Sequence, residues 1–134
     1  MRIAFAADDQ NETTQAVLDY LTAEHQVVRP AQGESWPQLG AAVGRAVADG
    51  DADFGVVMCW TGTGTAIAAN KVPGVRAALA WDAWIAEGAR KWNDANVLAL
   101  SLKRLAPDVA VEVTKAFLGV GEPDPDEAAN IAQL

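Results

Sequence analysis

The sequence predicts an α/β fold, a three-layer α/β/α sandwich around a five-stranded parallel sheet. Three observations carry that reading. Five short apolar runs, Arg2–Ala7, His25–Pro30, Phe54–Trp60, Arg76–Trp81 and Asn96–Ser101, alternate with longer amphipathic stretches. The runs are nearly continuous in apolar character, which suits strands covered on both faces. Strand and helix then succeed one another along the chain, the order that builds a parallel sheet with helices on either side.

Each intervening stretch has its own helical signal. Asn11–Ala23 places Val17, Leu18 and Leu21 at helical spacing, and either Asn11 or Thr13 can cap its start. Trp36–Gly50 sets Leu39, Val43, Ala46 and Val47 on one side, is preceded by Ser35, has Pro37 in its first turn and stops at a glycine. Asp82 can cap a helix reaching about Lys91. Pro107 opens another, with Val109, Val113 and Phe117 as its apolar stripe before Gly119. Residues 1–120 read as one domain and 121–134 as an acidic tail with a short helix from Asp126.

Composition narrows the function classes. At 134 residues, 51% apolar and 21% charged, the chain has the make-up of a globular domain. A net charge of −8 without a Lys/Arg cluster argues against nucleic acid and anionic membrane as partners. No apolar run is long enough to cross a bilayer and the start turns acidic, so the expected location is the cytoplasm. One cysteine excludes an internal disulfide and fits a reducing compartment.

That cysteine, Cys59, ends the third apolar run and is followed by Thr61-Gly62-Thr63-Gly64 and a helical segment. In an open parallel sheet ligands bind beyond the carboxyl ends of strands. The first N–H groups of a helix lack intrahelical partners and attract negative charge, and glycines let backbone approach a ligand closely. The stretch therefore reads either as an anion cradle beside a presented thiol or as a buried cysteine before an ordinary turn. It is neither a phosphate-binding Walker loop nor a dinucleotide fingerprint, since Ile67 stands where a third glycine would be needed.

The pattern C-x-T-G-x-G-x-x-I-A-A-N-K-x-x-G-x-R-A-A from Cys59 to Ala78, with N-D-A-N-V-L-A from Asn93 to Ala99, resembles the ribose-5-phosphate isomerase B and galactose-6-phosphate isomerase family. The resemblance implies a Rossmann-like sheet and an aldose–ketose isomerase that uses no metal or organic cofactor. It also implies a dimer, or a tetramer, with sites shared between subunits. Isomerisation needs a base beside the carbon next to the carbonyl and donors for the enediolate oxygen. By resemblance, Cys59 is the base, Thr61 assists it, and the N–H groups of Gly62, Thr63 and Gly64 cradle the charge. Asn93 would bind sugar hydroxyls. Asp8 would face the sugar, with helix capping as its rival role. Asp94 reads equally as a site residue and as a structural turn.

Several positions depart from the family pattern. Asp9 and Trp92 stand where histidines are usual, Trp60 where glycine is, and Trp36 where tyrosine is common. The tail lacks the family's arginines, leaving Lys103, with Arg104 beside it, as the remaining cation after the fifth strand. His25 is expected at the surface and Trp84 as core filler. Trp36, Trp60, Trp81 and Trp92 are expected at one end of the sheet, walling a pocket for a neutral or less anionic polyol in which Asp8 and Asp9 bind hydroxyls. The leading expectation is thus a sugar isomerase with altered substrate recognition. The alternative is a catalytically silent member that binds sugar or serves as a partner subunit.

Overall fold

A computed structural model describes residues 1–134. The elements follow in the expected alternation: β1 (Arg2–Ala7), α1 (Glu12–Glu24), β2 (Gln26–Val28), α2 (Trp36–Ala48), β3 (Phe54–Cys59), α3 (Thr63–Asn70), β4 (Ala77–Leu79), α4 (Ala83–Asn93), β5 (Val97–Ser101) and α5 (Pro107–Leu118). A 3₁₀ turn at Pro125–Glu127 leads into the short α6 (Ala128–Ile131). All strand pairings are parallel, in the order β2-β1-β3-β5-β4. The edge strands β2 and β4 have three residues each, shorter than the apolar runs that encode them. Short edges limit the unpaired N–H and C=O groups a sheet offers to other chains.

Residue alternation sorts the two sides of the sheet. Ile3, Phe5, Val56, Met58, Leu98 and Leu100 point toward α1, α4 and α5, where Val17, Leu21, Ala86, Ala89, Val113 and Phe117 meet them. The opposite face carries smaller residues, Ala4, Ala6, Val57, Val97 and Ala99, under α2 and α3. Those two helices approach closely because Gly40 and Gly44 face α3. A Cβ at position 40 would lie 2.8 Å from both Ala68 Cβ and the Thr65 carbonyl oxygen.

Helix starts follow the side chains available. Asn11, not Thr13, caps α1 by accepting the Thr14 N–H at 2.9 Å; the Thr13 hydroxyl instead donates to the Leu105 carbonyl. Gln38 accepts from the Ser35 backbone at the head of α2, and Asp82 accepts the Ile85 N–H at the head of α4. The tail lies on the surface with no buried residue. It is tied to α4 by an Asp124 N–H to Lys91 carbonyl bond, while buried Arg90 donates to the carbonyls of Val120 and Gly121. No helix is long and apolar enough to cross a membrane.

Two single-residue expectations are corrected. His25 is half-buried, edge-on to the Tyr20 ring, with both ring nitrogens buried and unpartnered. Burial is the main reason its pKa is lowered, with the N-terminal charge adding to it. Trp84 is 65% exposed, because it falls on the outer face of α4 opposite the Ala86 and Ala89 stripe.

The α2–α3 contact can be tested directly. Gly40→Ala gains about 1 kcal/mol of helix propensity, but the clash with backbone outweighs it, so a net loss of about 1–2 kcal/mol is expected in urea unfolding. Gly121→Ala, where a Cβ meets nothing within 4 Å, should leave the midpoint unchanged.

Candidate active site

The sheet order reverses between β1 and β3, and in open parallel sheets a crevice forms at such a switch. Asp8 and Asp9 leave β1 here, and Cys59 and Trp60 leave β3. The Asp8 N–H donates to the Met58 carbonyl at 3.1 Å, which fixes the two strand exits side by side. A cavity of about 390 Å³ opens above them, lined by Asp8, Trp36, Cys59, Trp60, Thr61, Thr63 and Gly64. The third apolar run therefore does present its thiol to a cavity, although Cys59 itself is only 5% exposed.

The Gly62 turn organises the sulfur's surroundings. Gly62 has φ +78° and precedes α3, so the chain folds back over the end of β3. Its N–H donates to Cys59 Sγ at 3.2 Å, and the buried Thr65 hydroxyl donates to the same sulfur at 3.3 Å. The Thr63 N–H is taken by Thr61 Oγ1, and the Thr61 and Thr63 hydroxyls lie 2.6 Å apart. Gly64 and Thr65, in the first turn of α3, keep N–H groups with no acceptor in the protein. Of the expected cradle, then, Gly62 and Thr63 spend their N–H groups within the turn, and Gly64 with Thr65 has them free. Gly64 also lets the Trp36 ring lie flat on the turn, since a Cβ there would come 2.8 Å from Trp36 Cε3.

Charge at the cavity is uneven. Partial desolvation, and next the charge of Asp9, raise the Asp8 carboxyl above its ordinary value, against a lowering backbone hydrogen bond. Asp9 moves the opposite way, held down first by the Gln10 N–H, then by the Trp60 indole N–H, with Lys103 contributing. The Lys103 ammonium lies 4.4 Å from the centroid of the Trp60 ring, on its face.

Trp92 and Asn93 are not at this cavity. They occupy the last turn of α4, which leads to the amino end of β5, the far side of the sheet from Cys59. Trp92 instead meets Trp84 edge-to-face, ring centroids 5.6 Å apart, beside an apolar depression of about 320 Å³ lined by Leu79, Ile85 and Gly88 among others. Of the four tryptophans expected to wall the pocket, only Trp36 and Trp60 do so: Trp81 is exposed outside the lining, and Trp92 lies at the amino edge because a helix joining two parallel strands runs back against them. Asp94 takes the structural role: at φ 49° it ends α4 and pairs with Arg76 at 3.1 Å and Arg90 at 3.5 Å.

Two site residues had no voice in the sequence reading. Thr65 reaches the sulfur from one turn into α3, and Ser101, paired with Cys59 across β3 and β5, donates to the Trp60 carbonyl at 2.5 Å. A hydroxyl residue three positions after the turn glycine was the available signal for Thr65. Nothing in local sequence pointed to Ser101.

A doubly wound parallel sheet with a thiol and a glycine turn at its switch point defines a small-molecule-binding α/β protein, and comparison makes the class specific. The ribose/galactose isomerase family model matches residues 3–133, and the chain belongs to that family. It is similar to a D-erythrulose-4-phosphate isomerase of Pectobacterium atrosepticum, 34% identical over 125 residues, covering 88% of this chain and 82% of the relative. A ribose-5-phosphate isomerase B of Escherichia coli is 38% identical over 84 residues, 63% of this chain and only 56% of that protein's length. Among solved structures, a ribose-5-phosphate isomerase B of Clostridium thermocellum superposes with TM-score 0.89 at 31% identity, over 99% of this chain and 94% of the other. One from Giardia lamblia gives 0.84 at 34%, over 96% and 95%.

The raised Asp8 pKa has a stability consequence. Ionised Asp8 costs folding free energy at neutral pH, and that cost vanishes once both states are protonated, below the unfolded value near 3.8. Asp8→Asn is therefore expected to raise Tm slightly at pH 7, with the gain shrinking as pH falls and gone below 3.8, read by scanning calorimetry across pH.

Proposed function

We propose that this chain is an aldose–ketose isomerase acting on a small sugar through a cis-enediolate, with Cys59 as the base. The observation that carries the reading is the sulfur at the foot of the cavity, receiving hydrogen bonds from the Gly62 N–H and the Thr65 hydroxyl. The thiolate is the form that abstracts a proton, and these donors solvate negative charge on sulfur. Sγ takes the proton from the carbon next to the carbonyl, and the electron pair moves into the carbon–carbon bond and onto the carbonyl oxygen. The free Gly64 N–H on the cavity wall holds that oxygen, a role worth about 3–4 kcal/mol of barrier for one well-placed donor. Sγ then returns the proton to the former carbonyl carbon. The Thr61 and Thr63 hydroxyls, already paired, carry the remaining proton between the two oxygens.

Substrate recognition differs from a simple sugar-phosphate site in this reading. Asp8 puts a carboxylate on the cavity wall, while Lys103 rests against the Trp60 ring and is not part of the lining. Like charges a few ångströms apart cost about 1–4 kcal/mol at effective dielectrics of 80 down to 20, which favours a neutral or weakly anionic polyol. Trp36 and Trp60 offer ring faces to sugar C–H groups. The four-carbon ketose phosphate in the Pectobacterium relative's name marks the phosphorylated competitor to test. A free thiol acting as base suits the cytoplasm.

A homodimer or tetramer completes the site. Trp84, Trp92 and Ile67 expose large apolar surface near the β4 edge, and Asn93 can reach a Cys59 cavity only from another copy. The second reading, a silent sugar-binding or partner subunit, is favoured by the near-complete burial of Cys59 and by a cavity lined without histidine.

Exchange of the carbon-bound proton for deuterium separates the readings. The wild type is expected to exchange at least one sugar from a panel of free and phosphorylated tetroses, pentoses and hexoses, and Cys59→Ala none; a wild type as inert as the variant would establish the silent reading. Mixing inactive Cys59→Ala with inactive Asn93→Ala should restore partial exchange if sites are shared, and no restoration would refute sharing.

A further inference from the structure

Trp60 is 56% exposed, a setting in which an indole ordinarily samples several rotamers, yet three separate contacts hold it. Ser101 donates to its backbone carbonyl, Asp9 Oδ2 accepts its indole N–H at 3.0 Å, and the Lys103 ammonium caps the ring face. Asp9 itself is fully engaged, because Oδ1 accepts the Gln10 N–H at 2.8 Å. Asp9 also lies outside the cavity lining, which Asp8 and Trp60 share. A carboxylate with both oxygens bonded to protein donors, behind the ring, is poorly placed to greet a sugar hydroxyl and well placed to brace the ring.

We propose that Asp9 is a positioning residue that latches Trp60 upright as a fixed wall of the Cys59 cavity, and that this wall sets which molecules reach the sulfur. The inference rests on reading that cavity as the reaction site. It replaces direct binding by Asp9 with action through Trp60. A braced indole presents a preorganised flat face to the carbon chain of a polyol and excludes bulk on that side, so selectivity comes from shape. Lys103 belongs to the same unit: it offsets the Asp9 charge and covers the outer ring face.

Cys59 is the chain's single cysteine, so its alkylation reports access without turnover. Rates with iodoacetamide and with the bulkier N-phenylmaleimide would be compared in the wild type, Asp9→Ala, Asp9→Asn, Trp60→Phe and the Asp9→Ala/Trp60→Phe double variant. The bulky-to-small rate ratio should rise about fivefold in Asp9→Ala, the scale of one ordinary net hydrogen bond lost from an exposed ring. Asp9→Asn keeps an amide oxygen for the indole and should stay near the wild-type ratio. Trp60→Phe, lacking the N–H, should match Asp9→Ala, and the double variant should go no further. An unchanged ratio in Asp9→Ala, or a full additional effect of Asp9→Ala on top of Trp60→Phe, would overturn the latch. Inertness toward every sugar with the ratios as expected would sink the isomerase reading alone, and flat ratios in an exchanging enzyme would sink the latch alone.

Discussion

The turn at Gly62 is the constraint on which the site depends. At φ +78° an L side chain is strained, and a Cβ would come 2.6 Å from Leu79 Cδ1 and 2.9 Å from the Leu100 carbonyl carbon. Only a residue without a side chain lets the chain leave β3 and re-enter α3 in so little space. Because the turn closes, the Gly62 N–H meets the sulfur, the Thr65 hydroxyl swings under it, and Gly64 at the start of α3 lines the same cavity. Relaxing the turn would separate the sulfur from its donors while leaving both in place along the chain.

The packing beneath the turn follows from the same economy of volume. The sheet face under α2 and α3 is built from alanine and valine, and the helices meet through glycines, so α3 can sit low enough for its start to overhang Cys59. The α2 start is drawn in with it, which brings Trp36 flat against Gly64 and makes it the facing wall of the cavity. The bulkier core residues are confined to the other face, where α1, α4 and α5 need no such closeness.

Charge and aromatic residues then divide the chain's surface into two functional regions. Near the strand exits, Asp8 and Asp9 carry opposite pKa shifts although they are sequence neighbours, because one faces the cavity walls and the other is saturated with donors. On the far side, Trp84 and Trp92 meet edge-to-face across Gly88, whose missing Cβ leaves room for the Trp92 ring at 2.6 Å. The first region has the groups for chemistry. The second is an exposed aromatic face beside a short edge strand.

What the sequence determined on its own was the alternation of elements, the parallel sheet, the helix cap at Asp82, and the placing of Cys59 and its glycine turn at a strand exit. These are local properties, encoded in apolar runs, capping residues and glycines close together in the chain. Tertiary structure decided the rest. The order β2-β1-β3-β5-β4 put Ser101 beside Cys59 and Asp9 beside Trp60, residues 42 and 51 positions apart, with no local pattern to announce either pairing. It also carried Trp92 and Asn93 away from the thiol, since a helix joining two parallel strands runs back against them and ends at their amino edge. Side chains that meet through the folding of distant segments leave no periodic trace, so the partners of Asp9, Trp60 and Cys59 emerged only once the strands were laid side by side.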